Sequence, residues 1–439
     1  MLRSLLRQPV RIAQFSLILD GMPGARYRLS IMTTCSDAFI RAIPKTDLHV
    51  HLDGSLRLGT LIELAKERRV PLPSFSEDGL KELVFKPSYR NLDEYLLGFA
   101  WTLKVLQDAE GLERAAYELA LDSQAEGVRY LEVRFAPQLH MSHDFGFGAV
   151  LSAVDRGLRR AREEYNRRIA PFEPPFDFGI IVCALRFFTA EFSRYYADLC
   201  RALSFSDHQD MIRTASLELA RAAVKLRDET DLQVVAFDLA GSEYGYPASE
   251  HFESYEYVHR HFLKKTVHAG EAYGPESIFQ AIAKLHADRI GHGLHLFNAG
   301  MIFSEDVPDK QAYIENLVNY IADNRTTIEV CLTSNLQTSP ELKDVRNHSL
   351  GKMLAHKLSL TICTDNRLVS HTSVTRELRL ALTHFDIPPD LLRDLVAYGF
   401  KRSFYYHPYA EKRKYVRRAM DYYERVEREH GVANSAGNA

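Results

Sequence analysis

Eight short apolar runs, each followed by residues at helical spacing, recur along the 439-residue chain and limit the folds open to it. They are 45–54, 128–135, 178–185, 233–239, 265–268, 289–291, 327–332 and 359–364. Several are unbroken apolar strings (GIIVCAL, QVVAF, LTIC), the pattern of parallel strands covered on both faces. Helical patterning occupies 56–69, 91–126 (two helices, with Asn91 and Asp108 as caps), 145–168, 189–230, 249–262, 275–286, 309–323, 349–357 and 374–430. The last stretch is expected to break at Gly399 and Pro408. Strands alternating with helices in this way predict an α/β fold, a (β/α)8 TIM barrel. About 75 residues separate the first two runs, too many for a simple connection, so a helical insertion is expected after strand 1. Extra helices follow strand 8.

No linker rich in Gly, Pro or Ser divides the chain, so 36–430 is read as one domain. Residues 1–35 are expected to be a disordered extension. Arg3, Arg7, Arg11, Arg26 and Arg28 stand there against the single acid Asp20, which fits either a transit-peptide composition or a start assigned too early, with Met32 as the true beginning. Residues 431–439 are read as a flexible tail. A net charge of −3, with no basic run interleaved with aromatics, argues against nucleic acid as a partner. No apolar stretch has the length of a membrane span. Cysteines 35, 183, 200, 331 and 363 are odd in number, widely spaced and free of any Cys-x-x-Cys, which favours a reducing cytoplasm.

The first run carries chemistry. Leu48, Val50 and Leu52 alternate with His49 and His51, so both imidazoles leave one face of a strand and form half of a transition-metal site. Asp53 stands at the strand exit, either meeting a ligand or capping the next helix. Reactive groups of such barrels lie at the C-terminal strand ends, and polar residues collect there: Asp238 and Gly241, His268 to Glu271, His292, Leu332 to Asn335, and Asp365 with Asn366. His49, His51, His268 and Asp365 are expected to converge as three imidazoles and a carboxylate on one catalytic Zn2+, with a water whose pKa it lowers. Glu271, three residues beyond His268, is expected to be a buried acid of raised pKa and a proton donor. His292 is placed to deprotonate the water or to stabilise developing charge. Asp238 is read as supporting the site, and His140 and His143 as surface-loop histidines.

The motifs HVHLDG (49–54), DLAGSE (238–243), HAGE (268–271), RIGHG (289–293), LTSN (332–335) and TDN (364–366) together resemble the adenosine deaminase family of the zinc-dependent amidohydrolases, over about residues 41–405. The resemblance implies hydrolytic deamination of adenosine and 2′-deoxyadenosine, with zinc on His49, His51, His268 and Asp365. It implies that Glu271 protonates purine N1, that His292 assists the water, that the Gly241 N–H meets N3, and that Asp53 meets the ribose 5′-hydroxyl. The chain departs from the best-known animal pattern in reading Asp365-Asn366 where that pattern has Asp-Asp. An amide NH2 still donates to N7, but substrate preference is less determined. Deamination of adenine or of aminodeoxyfutalosine is the nearest alternative. A non-catalytic nucleoside-binding or growth-factor-like relative, and a two-metal barrel hydrolase, are the alternatives of other classes.

Overall fold

The computed structural model of the chain describes residues 35–432. Eight parallel strands follow one another in chain order: β1 (Lys45–His51), β2 (Val128–Phe135), β3 (Asp177–Leu185), β4 (Val234–Ala240), β5 (Lys264–Ala269), β6 (Arg289–His292), β7 (Thr327–Val330) and β8 (Leu360–Ile362). Asp365, just past β8, closes the ring onto β1. Its N–H donates to His49 O at 2.8 Å and its carbonyl accepts from His51 N at 2.7 Å. The result is the (β/α)8 barrel that the eight apolar runs predict.

Side-chain alternation on β1 sorts the chemistry. Leu48 and Val50 are fully buried on the apolar side, where the helix Pro389–Arg402 packs on β1, while His49 projects into the barrel. The barrel's interior holds an ionic layer as well as apolar side chains. Arg134 donates to Asp238 Oδ2 at 3.0 Å and Glu329 Oε2 at 2.8 Å, and Arg289 donates to Glu329 Oε1 at 2.6 Å and to Glu132. Each buried charge thus has an opposite partner, the condition under which burying ions is tolerable.

Strand and helix boundaries hold to within a few residues in most places, with informative exceptions. Asn91 and Asp108 do cap helices, accepting from Glu94 N and Gly111 N, but 91–126 forms three helices, Leu92–Leu96, Phe99–Val105 and Ala109–Ala125. A further helix, Glu77–Leu83, starts at a Ser76 cap in the insertion. Strand β7 ends at Val330, and the LTSN residues open the helix Leu332–Thr338. The Thr333 N–H at its start donates to Glu377 at 3.1 Å, a partner 44 residues away that no local pattern reveals. Gly399 lies within the helix Pro389–Arg402 rather than interrupting it, packed against Thr46.

The expectations for residues 1–34 and 433–439 fall outside the described residues; at the two ends, Cys35 and Val432 are buried against the core. Among the described residues no helix is long and apolar enough to cross a membrane.

Candidate active site and metal centre

At the C-terminal ends of the strands, imidazoles from β1 and β5 meet the carboxylate that follows β8. His51 Nε2 and His268 Nε2 face each other at 3.1 Å, and Asp365 Oδ1 lies 3.4 Å from both His49 Nε2 and His51 Nε2. His49 Nε2 is buried with no hydrogen-bond partner in the described protein. Ligating atoms of His49, His268, His292 and Asp365 all lie within 4.8 Å of one another. The four expected ligands therefore converge, with His292 immediately beside them.

Carboxylates behind the rings orient them. His49 Nδ1 donates to Glu329 Oε2 at 2.7 Å and His268 Nδ1 to Asp238 Oδ1 at 3.3 Å, so both Nε2 atoms present lone pairs to the centre. Burial raises the cost of charge on Glu329 and Asp238, but the arginines and histidines around them hold both carboxyls well below the usual range. Ser334 Oγ donates to Asp365 Oδ2 at 2.6 Å, leaving Oδ1 turned to the imidazoles. Burial, then the neighbouring His268 and His49, pushes His51 down to about 3, so it is neutral and able to ligate. Gly291 makes room for this arrangement: a Cβ there would sit 2.9 Å from the His49 ring.

A metal fits these residues. Two imidazole Nε2 atoms 3.1 Å apart, an orphaned third imidazole nitrogen and a carboxylate oxygen 3.4 Å from His49 and His51 supply the nitrogen and oxygen donors that a transition metal takes. The backbone is also held in an uncommon form here. His292 (φ 65°) and Asp365 (φ 62°) are both left-handed, a conformation that costs non-glycine residues about 1–3 kcal/mol each and gathers at functional sites.

Glu271 is buried beside this group. Burial, then the nearby Asp365 and Glu243 charges, raises its pKa well above the ordinary value, as expected of a carboxyl kept protonated. Its Oε2 lies 3.6 Å from His292 Nε2. The loop that presents it is held by a residue that the sequence reading quoted only as part of a motif. The Glu243 carboxylate accepts from the backbone N–H groups of Gly270 (2.8 Å), Glu271 (2.9 Å), Ala272 (2.7 Å) and Tyr273 (3.1 Å), and from Ser277. Four converging amides on one carboxylate make that turn rigid.

A cavity of about 980 Å³ opens above these groups, lined by His51, Asp53, Gly241, Glu271, His292 and Asn366 and walled by the insertion helices Leu92–Leu96 and Phe99–Val105. Gly241 adopts φ 97°, a conformation natural to glycine, at the exit of β4. Asp53 is not a helix cap, since the next helix begins after Arg57. Its Oδ1 is buried without a partner, and Oδ2 is 3.8 Å from His140 Nε2, itself unpartnered. His140 is thus fully buried rather than on a surface loop, anchored through Nδ1 to Leu106 O at 2.8 Å, whereas His143 is exposed as expected. Asn366 donates through Nδ2 to the Tyr95 hydroxyl at 2.8 Å, and its Oδ1 is buried and orphaned. Tyr95 comes from the insertion, and the sequence offers no signal that it reaches so far.

Known proteins resemble this chain in sequence and fold. The family model described as adenosine deaminase matches residues 44–421. The adenosine deaminase of Shewanella pealeana is 34% identical over 346 residues, covering 79% of this chain and 89% of its own. Adenosine deaminase 1 of Streptomyces coelicolor is 33% identical over 381 residues, covering 85% and 86%. An amidohydrolase from Burkholderia ambifaria, solved with bound Zn, has the same fold, with a TM-score of 0.69 at 18% identity over 90% of this chain and 95% of that one. Barrel and site define a hydrolytic deaminase of the amidohydrolase type. Within that class, the chain belongs to the adenosine deaminase family.

Proposed function

We propose that the protein deaminates adenosine and 2′-deoxyadenosine to inosine and deoxyinosine, with one zinc ion held by His49, His51, His268 and Asp365. The observation that carries this reading is Glu271, buried beside that ligand set and 3.6 Å from His292, on the floor of a cavity of about 980 Å³, roomy enough for a whole nucleoside. A divalent metal at such a set polarises a water and lowers its pKa towards neutrality. His292, although close, is assigned to the substrate side, because its Nδ1 accepts from Asn335 Nδ2 and its Nε2 faces Glu271.

Glu271 gives its proton to purine N1, which draws electrons from C6 as the oxygen adds there. Of the two protons of that water, one restores Glu271 and the other leaves on ammonia. His292 steadies the attacking oxygen. The Gly241 N–H is assigned to N3, and the second Nδ2 hydrogen of Asn366 to N7. Asp53 is assigned to the ribose 5′-hydroxyl: two buried acceptors, Asp53 Oδ1 and His140 Nε2, lack a donor that a sugar hydroxyl supplies. That unmet pair favours a ribosylated substrate over free adenine. The partner is thus a small purine nucleoside, and the five free cysteines support a reducing, cytoplasmic setting.

The test follows the ultraviolet change from adenosine to inosine with metal-loaded protein, in parallel with adenine and aminodeoxyfutalosine. Conversion of adenosine that is lost in Glu271→Gln supports the reading. Conversion of a rival alone moves the specificity to that rival, and no conversion of any of the three by metal-loaded protein overturns it.

A further inference from the structure

We propose that His348 and Asn335 form a relay that locks His292 in the tautomer protonated at Nε2, making His292 a hydrogen-bond donor to the attacking oxygen and not its base. The relay begins at a group whose role is unambiguous. The backbone N–H of Leu350 donates to His348 Nδ1 at 3.0 Å, so that nitrogen carries a lone pair. Burial pushes His348 down to about 3, so the ring is neutral and its single proton sits on Nε2.

His348 Nε2 lies 3.1 Å from an atom of the Asn335 amide, and the proton fixes which atom it is. The carbonyl Oδ1 accepts there. The opposite amide orientation would require His348 to accept at both nitrogens, which a neutral imidazole cannot do. Asn335 Nδ2 therefore points to His292 and donates to its Nδ1 at 3.1 Å. Asn335 is fully buried, as is His292 within a percent, so water does not compete for these bonds. A ring that accepts at Nδ1 bears its proton on Nε2.

That Nε2–H points to the space shared with Glu271, whose Oε2 at 3.6 Å is too distant for a direct hydrogen bond. An oxygen seated between them receives the donation. Of the two roles open to His292 from sequence, taking the water's proton or stabilising its charge, the relay selects the second. His348 and Asn335 touch no reacting atom and are positioning residues. The consequence for turnover rests on the deaminase reading; the tautomer does not.

The experiment uses metal-loaded protein with 15N-labelled histidine and long-range proton–nitrogen NMR, which reports which ring nitrogen of His292 is protonated. Wild type is expected to show a protonated Nε2. In Asn335→Asp the carboxylate accepts from both rings and draws the His292 proton to Nδ1, with kcat lower by about 10- to 100-fold and KM little changed. His348→Gln, whose amide N–H reaches the same oxygen, is expected to retain more kcat than His348→Phe. A wild-type spectrum with Nδ1 protonated, or an Asn335→Asp variant unchanged in both tautomer and kcat, overturns the relay. If Asn335→Asp does not fold, equal losses in the two His348 variants overturn it. A protein that shows the Nε2 tautomer yet deaminates nothing refutes the activity and leaves the relay standing.

Discussion

His51 and His268 stand with their Nε2 atoms 3.1 Å apart, and since Asp238 takes the His268 proton at Nδ1, either the single proton of neutral His51 or a metal cation in its place joins the two rings. A divalent cation that takes that proton's place is held by both rings and by Asp365, donors that only the folded chain gathers. Metal removal is therefore expected to destabilise the fold. Dialysis against a chelator should lower the melting temperature, and zinc should restore it at one equivalent per chain. With free metal about 1,000-fold above its Kd, the stabilisation is about 4 kcal/mol. Calorimetry with metal analysis checks this, and a melting temperature indifferent to the metal would refute the site.

Glu329 is the residue through which the ionic layer reaches the centre, since one carboxylate accepts from His49, Arg134 and Arg289. Glu329→Gln removes the charge that fixes the His49 tautomer. Metal affinity is expected to fall about 10- to 100-fold, the usual effect of losing a partner behind a ligand. Two buried arginines also lose one of their two carboxylate partners, Arg134 keeping Asp238 and Arg289 keeping Glu132, so unfolding free energy should drop by about 3 kcal/mol. Competition with a chromophoric chelator reads the first effect and urea denaturation the second.

Asp53 is expected to recognise one hydroxyl and little else. Wild type should prefer adenosine to 5′-deoxyadenosine by about 10- to 100-fold in kcat/KM, the value of a hydrogen bond to a charged group. Asp53→Ala should erase that preference while still processing 5′-deoxyadenosine. Steady-state kinetics on the two nucleosides decides it, and a preference that survives the substitution moves the hydroxyl contact elsewhere.

What the sequence made legible was what short range dictates. The alternation of β1 sets His49 and His51 on the inner face, and the strand-end motifs place His268, Glu271, His292 and Asp365 at one mouth of the barrel. Of the groups that orient these residues only Asp238 was legible, as a support of the site; which ring each one holds was not, because the partners are long-range. Glu329 meets His49 across 280 residues and Asp238 meets His268 across 30. Tyr95 reaches Asn366 across 271 residues, and a lone histidine at 348 looks like any other until Asn335 is folded against it. His140 was misjudged for the same reason: its loop turns inward to Leu106, which no local spacing announces.

Glu377 ties the LTSN helix to the helix Val374–His384, accepting from Thr333 N at 3.1 Å and from the hydroxyls of Thr333 and Thr372. Burial pushes its carboxyl from the usual 4.5 up to about 7, the threonine hydrogen bonds only partly opposing this. The folded state thus holds a proton between about pH 4.5 and 7 that the unfolded chain has released. The folded pKa is the higher one, so the group's contribution to stability is fully present below about 4.5 and is lost as pH rises through about 7. At 1.36 kcal/mol per unit the loss amounts to about 3 kcal/mol. Glu377→Gln has nothing to titrate and keeps donors and acceptors for the same partners, so the difference in unfolding free energy between variant and wild type should grow in the variant's favour across that window. Urea denaturation of both proteins at several pH values measures the difference directly, cancelling the buried Asp47, whose pKa is also raised, to about 6, and which the substitution leaves in place. A difference constant from pH 5 to pH 8 would mean that Glu377 is ionised throughout and that its threonine partners outweigh burial.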